Sequence, residues 1–160
     1  MTSNHFDAKG NAVMVDISEK LPTMRTAVVR SVVRMQPTTL SSIIDGRIGK
    51  GDVIAVARLA GISAAKKTPD LIPLSHPLAL HAVSLEFSWD LTTGTIQVES
   101  TVKAFERTGV EMEAMVAASV AALTIYDMCK GMDKGIVIAE TALLYKAGGK
   151  SGLYDRREQT

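Results

Sequence analysis

The apolar and polar positions alternate with two different periods along the chain. From about Met24 to Gln36 the period is two: Ala27, Val29, Ser31, Val33 and Met35 share one side, and Arg30 and Arg34 share the other. This predicts a strand, ended by Pro37. Thr38 or Thr39 is placed to cap a short helix through Asp45. Gly46–Gly51 reads as a loop carrying Gly46, Gly49 and Gly51. Asp52 then reads as the N-cap of a helix over Val53–Lys67, where Ile54, Ala57, Arg58 and Gly61 follow helical spacing. Gly61 leaves room for a close neighbour, and Pro69 stops the helix. Pro73 and Pro77 hold Asp70–Leu78 in extended or turn geometry.

Two strands follow, joined by a turn at Thr92-Thr93-Gly94. In the first, His81, Val83, Leu85, Phe87 and Trp89 share a face; in the second, Ile96, Val98, Val102 and Ala104 do. A long helix from about Val110 to Lys130 breaks at Gly131, and Ile136–Lys146 is a last strand. The order predicts an α+β fold of ferredoxin-like (βαββαβ) type, an antiparallel sheet with helices on one face. Val28 and Val32 make part of the other face apolar, which predicts oligomerisation.

Composition adds bounds. The 160 residues suit one domain over 1–160, with about 1–13 and 148–160 expected to be mobile. Eighteen basic residues against seventeen acidic ones give a net charge of +1. That balance offers no global attraction for nucleic acid or an anionic membrane, so any anion site must be local. Cys129 is the one cysteine, which excludes a disulfide within the chain and fits a reducing, cytoplasmic setting. Met1–Asn11 is polar and lacks the apolar segment of a secretory signal. The longest weakly polar run, Ala114–Tyr126, is shorter than the roughly 20 residues a membrane span needs.

The candidate chemistry gathers at the ends of the long helix. Glu111 and Glu113 lie in its first turn, where acids suit the helix dipole. Asp127 and Lys130 lie one turn apart at its end. Lys130 suits the dipole there; Asp127 opposes it, and a locally unfavourable residue points to function, although a plain surface ion pair is the simpler alternative. Glu113 and Asp127 are 14 residues apart. They lie within about 40° of one helix face but about 21 Å apart along the axis, too far for one small substrate. A two-fold partner with its antiparallel helix alongside would bring Glu113 of one chain to Asp127 of the other, with the apolar stretch between the two ends as the subunit contact.

Other positions are weaker taken alone. Lys50, in its glycine loop before a helix N-terminus, reads as a phosphate-binding cation or as a solvated lysine. His76, in Leu74-Ser75-His76-Pro77, is held in a proline-flanked turn that suits proton transfer or anion binding, or it is structural. His81 is the weaker histidine. Gly148-Gly149-Lys150-Ser151-Gly152 is no P-loop, because Leu144 stands where the pattern requires glycine; it reads as a loop whose Lys150 can still contact phosphate. Three scattered histidines and one cysteine show no metal-ligand spacing, and Cys129 reads as a packing residue.

Taken together, several of these segments resemble the MoaC family of cyclic pyranopterin monophosphate synthases, which act in molybdenum cofactor (molybdopterin) biosynthesis. The resemblance is carried by Met14-Val15-Asp16, Lys50-Gly51-Asp52, Ala60-Gly61-Ile62, Leu71–Pro77, Thr108–Ala114, Ala121–Lys130 and Gly148–Gly152, the long-helix segment being the most specific. It implies a ferredoxin-like fold and a homohexamer, a trimer of dimers with active sites at subunit interfaces. It implies a phosphorus–oxygen lyase that converts (8S)-3′,8-cyclo-7,8-dihydroguanosine 5′-triphosphate to cyclic pyranopterin monophosphate and diphosphate. Carried over, Asp127 is the acid/base, with Lys50 and Lys130 the cations beside it. Leu74, Ser75 and His76, with Met112 and Glu113, hold the substrate, and Arg25, Glu111 and Lys146 join the site. Ser75 stands where the family often has Cys, which puts a thiol mechanism there in doubt; Arg107 stands where Lys is common and keeps the charge. No cofactor is implied beyond magnesium that accompanies the triphosphate.

Two other classes fit less well. A ferredoxin-like nucleic-acid module needs a basic, aromatic sheet surface, and here the strand aromatics are mainly Phe87 and Trp89 on an aliphatic face. A purely structural oligomer leaves Lys50, His76, Glu113, Asp127 and Lys130 unexplained.

Overall fold

A computed structural model of the chain describes residues 5–157. The expected mobile ends fall partly on 1–4 and 158–160, which lie outside the described residues. The elements run β1 (Thr23–Arg34), α1 (Pro37–Ile44), α2 (Val53–Ala65), α3 (Thr68–Leu71), β2 (Ala82–Asp90), β3 (Thr95–Glu106), α4 (Glu111–Cys129), β4 (Val137–Ala147) and β5 (Tyr154–Asp155). The fold is α+β. Five strands form one sheet in the order β2-β3-β1-β4-β5, and every neighbouring pair is antiparallel. The strand count differs from the expected four, because the chain returns after Gly152 to add two residues beside Tyr145 and Lys146.

The period-two pattern of β1 has its expected consequence. Ala27, Val29, Ser31 and Val33 are fully buried, facing α4 together with Val98, Val102 and Ala104 of β3. α2 and α4 pack on this face and on each other. The two buried serines of the sheet are satisfied. Ser100 Oγ donates to the Ala114 carbonyl at 2.7 Å, pinning α4 to the middle of the sheet, and Ser31 Oγ donates to the Glu140 carbonyl at 3.2 Å.

The alanines of α4 serve this interior. Ala114, Ala117, Ala118, Ala121 and Ala122 are fully buried within the chain. The small side chains of this stretch let the helix sit close to its own sheet and to α2, so the alanines expected at a subunit contact are already covered within the chain. Gly61 of α2 is the point of closest approach. A Cβ there would lie 2.5 Å from Leu85 Cδ2 and 2.9 Å from the Ala117 carbonyl oxygen. Met112 and Leu123 are the large apolar residues α4 leaves exposed.

Three local readings are also corrected. Neither Thr38 nor Thr39 caps α1; Gln36 is the N-cap, held extended by Pro37 behind it. The acceptor at this helix start comes from afar: Asp133, buried after α4, accepts from the Gln36 N–H at 2.9 Å and from the Thr39 hydroxyl at 3.3 Å. Pro69 does not simply stop α2, which ends at Ala65; it sits in the first turn of α3, where a missing N–H costs nothing. The apolar helix is also longer than the run Ala114–Tyr126. At 19 residues α4 has the length and composition to cross a membrane, but 56% of that window is buried against the rest of the chain, as in a core helix.

The opposite sheet face is mostly polar. Ser84, Glu86, Ser88, Gln97, Glu99 and Lys103 alternate with the core positions, and the Arg30–Glu99 pair crosses from β1 to β3 at 3.2 Å. Val28 and Val32 are apolar there, as expected, alongside Ala142 and Leu144 of β4.

If Gly61 sets the spacing of α2 from α4, Gly61→Val lowers stability by about 1–3 kcal/mol, as overpacking a close contact does. Urea denaturation measures it; an unchanged midpoint would show that the contact is not limiting.

Candidate active site

The C-terminal end of α4 gathers one set of charges. Lys130 Nζ lies 2.6 Å from Asp127 Oδ1, and Lys50 Nζ lies 3.8 Å from Asp127 Oδ2. Lys50 also donates to the Asp127 carbonyl at 2.9 Å, so it satisfies one of the helix-terminal carbonyls that has no partner within the helix. Its position follows from its neighbours: Ile48 is buried, Gly51 turns at φ +101°, and the Asp52 side chain accepts from the Ala55 N–H at 2.9 Å to start α2. Asp127 at a negative helix end is thus compensated by two cations. The Lys130 hydrogen bond and charge, with Lys50 behind them, hold its carboxyl below the usual range, and Asp127 in turn raises Lys130. All three side chains are more than half exposed. They form an ionised carboxylate flanked by two ammonium groups and open to a ligand.

Cys129, beside them in sequence, points the other way. It is fully buried, and burial pushes its thiol up to about 11, so it stays protonated and inert at neutral pH.

The N-terminal end of α4 holds a second set. Lys146 Nζ of β4 lies 2.7 Å from Glu111 Oε1, a half-buried pair. Arg25 of β1 is nine-tenths buried; its Nε donates to the Glu106 carbonyl at 3.0 Å and its Nη2 to the Arg107 carbonyl at 3.1 Å. Glu113 is buried, and its Oε2 has no hydrogen-bond partner among the described residues. Burial first, then the like charge of Glu111, raises its carboxyl above the usual value. Glu113 lines a cleft of about 530 Å³ with Leu74, Ser75, His76 and Met112. His76 Nε2 lies 2.8 Å from the Val15 carbonyl. A carbonyl only accepts, so Nε2 carries a proton and donates it.

The expected site residues therefore fall into two groups. Lys50, Asp127 and Lys130 meet at one end of α4. Arg25, Glu111 and Lys146, with Leu74, Ser75, His76, Met112 and Glu113, surround the other. The helix keeps the groups about 21 Å apart, and one chain does not bring them together. Among the described residues, no group of three or more His, Cys, Asp or Glu side chains is placed to share a metal ion.

The sequence model of the MoaC family matches residues 14–149, most of the chain. The chain belongs to the MoaC family. Among its relatives, the cyclic pyranopterin monophosphate synthase of Geotalea uraniireducens is 67% identical over 159 residues, 99% of this chain and 99% of the relative. That of Pelobacter propionicus is 65% identical over 99% of each, and that of Brevibacillus brevis 52% identical over 97% of this chain and 96% of the relative. The MoaC match includes the segments that build both ends of α4.

One residue that lines the second region escapes sequence reasoning. Lys20 borders a larger cavity beside the cleft together with Arg107, with Thr108 and Gly109 on the wall between them. Lys20 lies in a coil without periodicity and has no local signal; only the folding of residues 16–21 over the end of β3 brings it to Arg107.

Glu113 gives a pH test. Below the ordinary carboxylate value it is protonated in both folded and unfolded chains. As the pH rises through its raised folded value, the unfolded chain gains more from ionisation, and stability is lost. Glu113→Gln therefore gains stability relative to the parent as pH rises from the carboxylate range to neutrality, with little difference at acid pH. Urea denaturation of both proteins across that range measures it; a difference independent of pH would contradict the burial account.

Proposed function

We propose that this chain is a cyclic pyranopterin monophosphate synthase. It converts (8S)-3′,8-cyclo-7,8-dihydroguanosine 5′-triphosphate to cyclic pyranopterin monophosphate with release of diphosphate, a step of molybdenum cofactor biosynthesis. The observation that carries this reading is the Lys50–Asp127–Lys130 cluster, in a chain 67% identical over its length to a synthase of that name.

The chemistry suits the two ends of α4. Opening the imidazole-derived ring and forming the pyranopterin are proton transfers, which Asp127, with the lysines beside it, and Glu113, whose carboxyl burial raises above the usual value, can serve. In the cyclisation, a ribose-derived hydroxyl oxygen bonds to the α-phosphorus. The bond from that phosphorus to the bridging oxygen breaks, diphosphate leaves with the electron pair, and the hydroxyl proton passes to Asp127. Lys50 and Lys130 offset the charge on the phosphates. These are proton and phosphoryl transfers, so the reading includes no resident cofactor; magnesium travels with the triphosphate.

The finer architecture belongs to the same proposal. The order β2-β3-β1-β4 of the long strands, all antiparallel, supports a ferredoxin-like single domain with β5 as an edge addition. The separation of the two residue groups supports active sites built between subunits, in a homohexamer arranged as a trimer of dimers. Val56 and Leu59 on α2 and Leu123 on α4, exposed in the single chain, support such contacts. The reaction is cytoplasmic in this reading, in keeping with the single thiol.

The test is turnover. The protein incubated with the cyclised nucleotide yields diphosphate, and a fluorescent pterin after oxidation. Lys50→Ala and Asp127→Ala each lower the rate at least about 100-fold. No diphosphate from the parent protein ends the enzyme reading; full rates in both variants end the site assignment.

A further inference from the structure

After Ala147 the chain leaves β4 and returns as β5, which has only two residues, both exposed. Of the six residues between the two strands, Gly148, Gly149 and Gly152 have positive φ. Glycine loses more conformational freedom on ordering than any other residue, and a ladder of two exposed residues offsets little of that cost. The segment therefore depends on a hold outside the ladder.

That hold lies on the sheet face away from α4. Tyr145 pairs with Val28 and shares that face, whereas Lys146 pairs with the buried Ala27 and faces α4, where it meets Glu111. Arg157 lies over the Tyr145 ring, its guanidinium carbon 4.1 Å from the centroid. The same guanidinium donates to both carboxylate oxygens of Asp155, from Nε at 2.9 Å and from Nη2. Asp155 is the cross-strand partner of Tyr145, so the three side chains gather on one face. The Arg156 N–H donates to the Leu144 carbonyl at 2.8 Å and adds a further bond beside the ladder. The Arg157 side-chain hydrogen bond, with the Arg157 backbone N–H behind it, holds the Asp155 carboxyl down to about 2, so the pair is ionised at neutral pH. A planar guanidinium can stack on the ring and fork onto the carboxylate at once, which an ammonium cannot.

The two anchored strands fix what lies between them. Lys146 directly follows Tyr145, and the turn from Gly148 to Gly152 is pressed on the start of β1: a Cβ at Gly148 would run into the Met24 carbonyl, and one at Gly149 into the Arg25 guanidinium.

We propose that Tyr145, Asp155 and Arg157 form a latch that, from the far face of the sheet, positions Lys146 and the glycine turn against Arg25 for substrate binding. None of the three lines the cleft or the cavity beside it, so they act through the backbone of β4 and β5 and are positioning residues. The consequence for substrate rests on the proposed function, whereas the latch is measured without turnover.

Amide hydrogen exchange on the full chain, read by mass spectrometry, tests the latch. Arg157→Ala and Tyr145→Ala each speed exchange across residues 148–156 about fivefold, the effect of losing an exposed cation–π contact and its ion pair. Tyr145→Phe keeps the ring and exchanges as the parent does. Arg157 is exposed, so Arg157→Ala leaves the urea midpoint unchanged. Steady-state kinetics with the cyclised nucleotide tests the positioning. Both alanine variants raise KM about fivefold and keep kcat within about twofold, and the double variant raises KM no further, because the two side chains act as a unit. Parent-like exchange in Arg157→Ala overturns the latch and leaves the enzyme reading standing. Faster exchange with an unchanged KM overturns the positioning role. Faster exchange in Arg157→Ala, when the parent itself shows no turnover, ends the enzyme reading and the role in substrate binding with it, and leaves the latch.

Discussion

The close packing of α4 between the sheet and α2 is the constraint from which the rest follows. Fully buried alanines on the helix, the glycine at position 61 and the Ser100–Ala114 hydrogen bond at 2.7 Å hold its axis against the sheet. A helix fixed in this way is a rigid spacer. It carries Glu111, Met112 and Glu113 at one end and Asp127 and Lys130 at the other, and it cannot bend to bring them together. Large side chains would fill the same volume but hold α2 and α4 further apart, moving the loop that carries Lys50.

The two ends differ electrostatically, and each difference has a local cause. At the C-terminal end an exposed carboxylate is kept ionised by two lysines, one of which also satisfies a helix carbonyl. At the N-terminal end a buried carboxyl with an unpaired oxygen is pushed toward its neutral form, next to a cavity richer in cations than in acids. One end thus holds an ionised carboxylate between two cations, the other a buried carboxyl raised above its usual value beside a polar cleft. Environments that drive two carboxyls apart in this way divide acid and base roles between them.

The periodic elements were legible because their burial is set locally. The alternation in β1, the Asp52 cap and the span of α4 follow from residues within a few positions of each other. Asp127 stood out for the same reason, an acid at the wrong end of a helix. What was not legible depended on distant partners. The acceptor at the start of α1 comes from Asp133, about a hundred residues away, and β5 forms only because β4 leaves an edge to pair with. The alanine run of α4 signals close approach without saying to what, and the sheet and α2 meet it within the chain. Lys20, Arg107 and Lys150 become neighbours only through the folding of three separate segments.

The central claim is that each active site takes Asp127, Lys50 and Lys130 from one chain and Glu113 with its cleft from another. Mixing inactive chains tests it most directly. Asp127→Ala and Glu113→Gln proteins are denatured together in equal amounts, refolded, and assayed for diphosphate release. Shared sites predict that random assortment restores about a quarter of the parent activity, because that fraction of sites draws both intact halves. Activity no higher than that of the two variants refolded separately would contradict the claim and place the whole site within one chain.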